Sequence, residues 1–254
     1  PDTESFYASE IQSFMRLFDA KPEMIACDMH PDYVSTRYAT CFDGGLPVNK
    51  IQHHHAHFAS VLAEHQMEEP AIGLIFDGTG YGTDGTIWGG EALFGGIRSS
   101  ERVGHLRYTS LLSGEAAIHE PWRVALAMMC DACGESEALD YFKAYEEKAA
   151  LLLHMKKQGI NSPAASSAGR LFDAVAALAG LRMLTTYEGQ AAVDLEQAID
   201  PSADGSYHFD ILSEGNTMIF DWRQIIRDVV RDAKKGIDAG IISARFHRAV
   251  VHLM

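Results

Sequence analysis

The spacing of apolar residues along the first quarter of the chain predicts short strands that alternate with helices. Apolar side chains recur at helical spacing over residues 4–18, and Pro22 follows where that helix should end. Short apolar runs at residues 24–27 and 48–52 predict two strands, with a short helix between them that Ser35 is placed to cap. This order of elements favours an α/β sheet with helices on its faces.

The centre of the chain continues with strands, and the remainder is mainly helical. Apolar runs predict strands at residues 71–76, 87–97 and 102–109, with Gly89-Gly90 breaking the second, and two short ones at 207–212 and 217–220. Helical spacing predicts helices over residues 121–129, 135–157, 167–179, 187–199, 222–233 and 241–254. We therefore expect a first α/β lobe over residues 1–115 and a mainly helical second lobe over residues 116–254.

The last predicted helix keeps its apolar register to the final residue. No capping signal ends it, and the first residue is Pro1. We therefore expect the chain to be a piece of a longer protein, with a second lobe that continues beyond Met254.

Composition and charge argue against several classes of protein. The 254 residues, 47% of them hydrophobic, suffice for one large core or two smaller ones. With 21 basic and 35 acidic residues the net charge is −14, so a nucleic acid is not the expected partner. A single phosphate ligand held by backbone N–H groups remains compatible with that charge. No apolar run approaches the roughly 18 residues of a membrane span, and no secretion signal is recognisable.

The four cysteines do not form the pattern of a disulfide framework. In a chain of this length they indicate a reducing, cytoplasmic setting. Cys130 and Cys133 have CxxC spacing, but they end an apolar helical run with no second CxxC and no preceding strand-to-helix turn. We interpret them as two small helix residues, with a redox or zinc pair as the alternative.

Four histidines stand within five residues where the third predicted helix begins. On that helix His53 and His57 project from the same side, His54 falls on the apolar stripe, and His55 points elsewhere. Two imidazoles four residues apart can reach one metal ion without backbone strain. The alternative is a histidine-rich helix start with one ring in the core and the others in solvent.

A glycine-rich segment follows the strand at residues 71–76. Asp77 should begin a loop there, and Gly78, Gly80, Gly82 and Gly85 let the backbone turn and approach a ligand closely. The segment is typical of a phosphate-binding hairpin, and it matches neither the Walker nor the Rossmann pattern. An ordinary β-hairpin is the alternative.

The helix predicted at residues 167–179 carries one acidic residue of interest. Ser167 is placed to cap the helix, and Asp173 points away from its apolar face. Taken alone, Asp173 would be an ordinary solvated aspartate.

Six motifs, in order along nearly the whole chain, resemble one known family. They lie at residues 25–36, 52–57, 76–82, 120–123, 166–176 and 187–192, and include Gln52-His53-His54-His55-Ala56-His57 and Phe76-Asp77-Gly78-Thr79-Gly80-Tyr81-Gly82. The family is HypF, the carbamoyltransferases of [NiFe]-hydrogenase maturation. The similar part is the C-terminal domain related to the tRNA threonylcarbamoyl-transferases.

The resemblance implies a fold and a reaction. The fold is α/β, an actin-like and ribonuclease-H-like two-lobed fold, here truncated at both ends, with a ligand cleft between the lobes. The family makes carbamoyl adenylate from carbamoyl phosphate and ATP. This domain then passes the carbamoyl group to the C-terminal cysteine of the partner HypE, and the product becomes a cyanide ligand of the hydrogenase iron.

The resemblance also implies roles for particular residues. His53 and His57 would hold a divalent metal ion, zinc or iron, which a late aspartate beyond Met254 completes in the family. Asp77 is the expected catalytic residue. The expected nucleotide and substrate contacts are Gly78, Thr79, Gly80, Gly82, Gly169, Asp173, Glu188 and Gly189. Among them the turn from Gly78 to Gly82 would offer N–H groups to phosphate or carbamoyl oxygens, and Asp173 would bind a ribose hydroxyl.

Two other functions stay open on the residues alone. An actin-like ATPase or sugar-kinase-like phosphotransferase could share the fold. A non-catalytic module could use the acidic surface to dock a partner.

Overall fold

The computed structural model describes residues 2–42 and 44–254, and these form a mixed α/β structure. The helices are α1 (Asp2–Leu17), α2 (Val34–Cys41), α3 (His53–Glu64), α4 (Ala116–His119), α5 (Pro121–Cys133), α6 (Glu135–Tyr141), α7 (Glu146–Lys157), α8 (Ala168–Leu178), α9 (Gln190–Gln197), α10 (Arg223–Lys234) and α11 (Ala239–Leu253). The strands are β1 (Ile25–Asp28), β2 (Val48–Ile51), β3 (Ala71–Tyr81), β4 (Ile87–Gly95), β5 (Ser100–Leu106), β6 (Thr109–Ser110), β7 (Ala164–Ala165), β8 (Asp210–Glu214) and β9 (Thr217–Asp221).

The strands divide between two sheets. β1 and β2 pair in parallel as a sheet of their own. In the larger sheet β4 pairs antiparallel with both β3 and β5, and β5 pairs in parallel with β9. β8 lies at one end of this sheet beyond β9, and the short strands β6 and β7 lie beside β4.

Two clusters of buried side chains hold the structure together. The larger one lies among α5, α8, α10 and the sheet, and its fully buried rings include Trp122, Trp222 and Phe246. The smaller one packs Phe58 and Leu62 of α3 against β3 and β4. Burying a side chain of this size stabilises the fold by about 1.5–3 kcal/mol, so the smaller cluster holds the histidine helix firmly on the sheet.

The central hairpin differs from its prediction. β3 does not stop at Phe76: it continues to Tyr81 with a shift in register, and the turn to β4 follows it. β4 is unbroken at Gly89-Gly90. These glycines are needed for close packing, because a Cβ at Gly89 or Gly90 would come within 2.6 Å of the carbonyl oxygen of Asp77 or of Ser166.

The first residues of three helices can be compared with their predictions. Pro121 begins α5, and Ser167 caps α8 by accepting a hydrogen bond from the N–H of Arg170, both as predicted. The prediction that Ser35 caps α2 is wrong. The residue at the N-cap position is Tyr33, which has an extended backbone and makes no capping hydrogen bond with its side chain.

Two further features concern the cysteines and the hydropathy of the helices. All four cysteines are free, and Cys130 and Cys133 lie half-buried in the last turn of α5, where burial raises the pKa of both thiols. Within residues 2–42 and 44–254, none of the helices has the combination of length and hydropathy required to cross a membrane.

Glu120 connects the start of α5 to α7. Its carboxylate accepts hydrogen bonds from Arg123 at 2.9 Å, from Lys148 at 2.8 Å and from the Trp122 indole at 2.9 Å. The hydrogen bond from Arg123 is the main cause that lowers the pKa of Glu120 to about 2. The folded state therefore favours the ionised carboxylate.

Replacing Glu120 by Gln should lower the free energy of unfolding by about 2 kcal/mol at neutral pH, because the amide offers no charge to Arg123 and Lys148. The folded pKa lies below the ordinary value of 4.5, so this stabilisation is complete above that value and is lost as the pH falls towards 2. Urea unfolding near pH 7 and near pH 3 should show the difference between wild type and variant shrinking at the lower pH. Glu147→Gln, an exposed change on α7, is the control, and a pH-independent difference would contradict the prediction.

Candidate functional site

The carboxyl ends of two parallel strands place an aspartate beside the first histidine of α3. β1 and β2 pair so that Asp28 lies opposite Ile51, two residues before α3 begins. The side chain of Gln52 caps α3 by accepting a hydrogen bond from the N–H of His55 at 2.8 Å. As a result, Oδ2 of Asp28 lies 2.7 Å from Nδ1 of His53.

His53, His57 and Asp77 form a compact group of three possible metal ligands. The Nε2 atoms of His53 and His57 lie 3.3 Å apart, so the two rings do meet on one side of α3. Oδ2 of Asp77 lies 3.1 Å from Nε2 of His53 and 3.7 Å from that of His57. Asp77 comes from the segment of β3 where its register with β4 shifts between Phe76 and Gly80.

This group fits a divalent cation such as zinc or iron. Zinc–nitrogen bonds of about 2.0–2.1 Å in tetrahedral geometry place neighbouring ligand atoms about 3.3 Å apart, close to the observed separations. Because Asp28 accepts the hydrogen bond from Nδ1 of His53, the lone pair of Nε2 is free to face a cation. The side chain of His57 is 57% exposed, which leaves one side of the group open to solvent or substrate.

The surroundings of Asp77 keep its carboxyl ionised. The imidazole of His54, with Nε2 at 3.6 Å, is the main cause that holds the pKa of Asp77 far below its usual range. The N–H of Gly78 also donates to Asp77 at 2.6 Å. His54 is fully buried, as its place on the apolar stripe predicted, and it lies beside Trp88.

The fourth histidine of the cluster has a separate place. Nδ1 of His55 lies 2.8 Å from the hydroxyl of Ser100, and its Nε2 lies 3.0 Å from the carbonyl oxygen of Ile97. His55 therefore attaches the start of α3 to the turn between β4 and β5, away from the other three rings.

Close backbone packing joins β3 to the start of α8. A Cβ at Gly169 would lie 2.9 Å from Cα of Gly78, so no side chain can stand between the two segments. The hydroxyl of Ser167 donates to the carbonyl oxygen of Gly78 at 2.7 Å. Gly80 lies under the histidines, because a Cβ there would overlap Cε1 of His54 and come within 3.0 Å of Cδ2 of His53.

Two of the N–H groups that were predicted to face phosphate or carbamoyl oxygens already have acceptors within the protein. The N–H of Gly78 donates to Asp77, and that of Gly82 donates to the carbonyl oxygen of Thr86 at 2.9 Å. Thr79 lies in the irregular segment of β3, whereas Gly82 lies in the turn and packs against Trp88. The reason is that β3 pairs again with β4 at Gly80, so the hairpin tip moves away from Asp77.

A second group of charged residues lies next to Gly78. Asp173 is 2% exposed and its Oδ2 lies 3.1 Å from Nη1 of Arg170, so the interpretation of Asp173 as a solvated aspartate is wrong. Burial raises the pKa of Asp173 to about 6, against the opposing effect of Arg170. Glu188, with a side chain 63% exposed, lies 3.9 Å from Arg170, and Gly189 then begins α9 with a left-handed backbone (φ +83°).

Sequence reasoning gave no role to Asp28 or to Arg170. A signal for Asp28 was present, since parallel pairing of residues 24–27 with 48–52 would have brought the end of the first strand beside His53. The burial of Arg170 follows from the packing of α8 against β3, which its own periodicity does not show.

Comparison with known proteins identifies related sequences and structures. Residues 1–64 match a family model described as "HypF Kae1-like domain", and residues 73–254 match "Carbamoyltransferase, Kae1-like Domain, second subdomain". Carbamoyltransferase HypF of Synechocystis sp. is 35% identical over 266 residues, which cover 98% of this chain and 34% of that protein. Carbamoyltransferase HypF2 of Cupriavidus necator is 44% identical over 188 residues, which cover 73% of this chain and 23% of that one.

Two solved structures share the fold. The crystal structure of full-length HypF in the phosphate- and nucleotide-bound form has a TM-score of 0.90 and 40% identity, covering 98% of this chain and 32% of that one. The crystal structure of T.kodakarensis HypF has a TM-score of 0.77 and 30% identity, covering 90% and 31%. The actin-like, ribonuclease-H-like fold implied by the resemblance is thus confirmed. The chain spans about a quarter to a third of the length of these four proteins.

Gly80→Ala should disturb the histidine group, because the added methyl overlaps the buried ring of His54. We expect a loss of about 1–3 kcal/mol in the free energy of unfolding, the usual cost of overpacking. Urea unfolding measures it. Gly96→Ala is a matched control, since a Cβ at Gly96 meets nothing within 4 Å and the two changes restrict the unfolded chain equally. Equal free energies of unfolding for the two variants would contradict the prediction, because they would mean that the ring of His54 can move aside at no cost.

Proposed function

The chain belongs to the HypF carbamoyltransferase family, and we propose that it carries the site of carbamoyl transfer from carbamoyl adenylate to a thiol. The acceptor would be the C-terminal cysteine of a HypE-type maturation protein, and the product would supply a cyanide ligand of the hydrogenase iron. Carbamoyl phosphate and ATP would be the upstream substrates. The setting would be the cytoplasm, where the four free cysteines stay reduced.

One juxtaposition supports this proposal above the others. Asp77 is one of the three candidate metal ligands, and the residue after it, Gly78, packs directly on the start of α8. A group bound at His53, His57 and Asp77 would therefore adjoin a ligand held by the N-terminal end of α8. Carbamoyl transfer from an adenylate requires this kind of arrangement, because the reacting carbonyl is bonded to the phosphate of the nucleotide.

His53, His57 and Asp77 would hold the divalent cation, zinc or iron. When bound, such a cation supplies Lewis-acid polarisation of a carbonyl or phosphoryl oxygen. Asp28 would act through His53, by fixing the orientation and tautomer of its ring. The buried ring of His54 and the N–H of Gly78 would keep Asp77 ionised, as an anionic ligand must be.

The nucleotide would lie along the start of α8. A helix N-terminus favours negative charge, and the close packing of Gly169 on Gly78 places that end of α8 beside the segment that follows Asp77. Asp173 and Glu188 would accept hydrogen bonds from ribose hydroxyls. The full-length HypF structure with phosphate and nucleotide bound has the same fold, which makes a nucleotide here a natural expectation.

The transfer step needs no nucleophile from this chain. The thiolate sulfur of the acceptor attacks the carbamoyl carbon, and a carbon–sulfur bond forms. The bond from that carbon to the phosphate oxygen breaks, and AMP leaves with the electron pair. In keeping with this, the half-buried Cys130 and Cys133 have raised pKa values, opposite to those of an activated thiol.

Metal binding can be measured by isothermal titration with Zn²⁺. We expect His53→Ala and His57→Ala each to weaken binding at least about 100-fold, and Asp28→Asn to weaken it about 10- to 100-fold through the loss of ring orientation. His65→Ala, an exposed histidine just after α3, should bind like wild type. Unchanged affinity in both alanine variants would exclude the assigned ligands.

Transfer can be measured with carbamoyl adenylate and a peptide that ends in cysteine. Mass spectrometry should detect the carbamoyl group on the thiol, with the rate at least about 100-fold lower in His53→Ala and unchanged in His65→Ala. Hydrolysis of ATP without a carbamoyl donor would instead favour the ATPase alternative. Maturation of hydrogenase by full-length protein carrying both histidine changes would favour the docking module.

A further inference from the structure

Arg170 is a buried cation with hydrogen-bonding capacity that the protein does not use. Its side chain is 3% exposed, and neither Nε nor Nη1 makes a hydrogen bond. Oδ2 of Asp173, 3.1 Å from Nη1, is also buried without a hydrogen bond. Nη1 and Oδ2 form an ion pair with each other, so Nε is the buried atom of the three that has no partner among the described residues, although buried polar groups nearly always have one.

The remaining nitrogen of Arg170, Nη2, lies near Gly78 and Glu188. The position that a Cβ would take on Gly78 is 3.7 Å from Nη2 and 3.4 Å from Oε1 of Glu188, and Nη2 is 3.9 Å from that oxygen. Within residues 2–42 and 44–254 Nη2 has no hydrogen-bond partner, and it is not among the fully buried atoms as Nε and Nη1 are. The space over Gly78, which stays free because residue 78 has no side chain, is therefore bordered by a guanidinium edge.

Two carboxylates lie near Arg170, but neither makes a hydrogen bond to Nη2. Asp173 offsets its charge on the buried side, but Glu188 is mostly exposed and too distant for a hydrogen bond. A guanidinium held in place by burial recognises phosphate oxygens well, since its N–H groups are fixed in one plane. The N-terminal end of α8, which carries Arg170 in its first turn, adds a favourable field for the same charge.

We propose that Arg170 is a phosphate-binding residue of this site, and that Nη2 donates to a phosphate oxygen of the nucleotide seated over Gly78. The proposal rests on the proposed function, which places a nucleotide along α8. Arg170 thereby makes the site selective for a phosphorylated nucleoside, while Nη1 compensates the buried charge of Asp173. A purely structural ion pair would instead support the ribose contacts of Asp173 without any preference for phosphate.

Isothermal titration with AMP and with adenosine separates the two roles. In wild type we expect AMP to bind more tightly than adenosine. Arg170→Gln should weaken AMP about 10- to 100-fold, the loss of one charge-assisted hydrogen bond, and change adenosine by less than about threefold. Arg182→Gln, which alters an arginine paired with Asp194 instead, should leave both affinities unchanged.

Arg170→Lys covers the case in which the glutamine variant fails to fold. It keeps the charge but loses the planar fork, so AMP should still weaken more than adenosine. An equal loss for both ligands, or no loss for either, in a variant whose thermal melting matches wild type would overturn the role of Arg170. Failure of wild type to bind either ligand would overturn the nucleotide site itself, and this proposal with it.

Discussion

The contact on which the site depends is the direct packing of one backbone on another, where β3 meets the start of α8. Gly169 lies so close to Gly78 that position 169 has no room for a side chain, and the hydroxyl of Ser167 donates hydrogen bonds to the carbonyl oxygens of Asp77 and Gly78. Gly89 of β4 packs against the same contact, because a Cβ there would meet the carbonyl oxygen of Asp77 and Cα of Ser167. Because of this contact, Asp77 and Gly78 lie between the histidines of α3 and the start of α8.

The pKa values of the two aspartates near this contact depend on how deeply each carboxylate is buried and on its partners. The pKa of Asp77 is lowered because a buried imidazole and a backbone N–H stabilise its charge. The pKa of Asp173 is instead raised by burial, in spite of the nearby Arg170. The two carboxylates thus behave in opposite ways. The ionised Asp77 could serve as a ligand of a cation, whereas the buried Asp173 is paired with Arg170.

Much of this arrangement was visible in the sequence, and the exceptions have physical reasons. Helical periodicity alone placed His53 and His57 on one side of α3 and His54 in the core. It could not place Asp77 on a strand, since pairing with β4 overrides the local preference of a glycine-rich segment for a turn. Nor could it bury Asp173, because α8 is covered on more than its apolar face and neighbours from other elements decide that. The Asp28–His53 contact depends on strand pairing, which periodicity does not specify.

The attachment of α3 through His55 has a consequence of its own. The carbonyl oxygen of Ile97 can only accept a hydrogen bond, so Nε2 of His55 carries a hydrogen there. The hydroxyl of Ser100 can adapt to Nδ1 of the same ring by rotating. The start of α3 is thus anchored to the end of the β4–β5 turn by a histidine that is not one of the candidate metal ligands, so a ligand could bind to the other rings while this anchor stays in place.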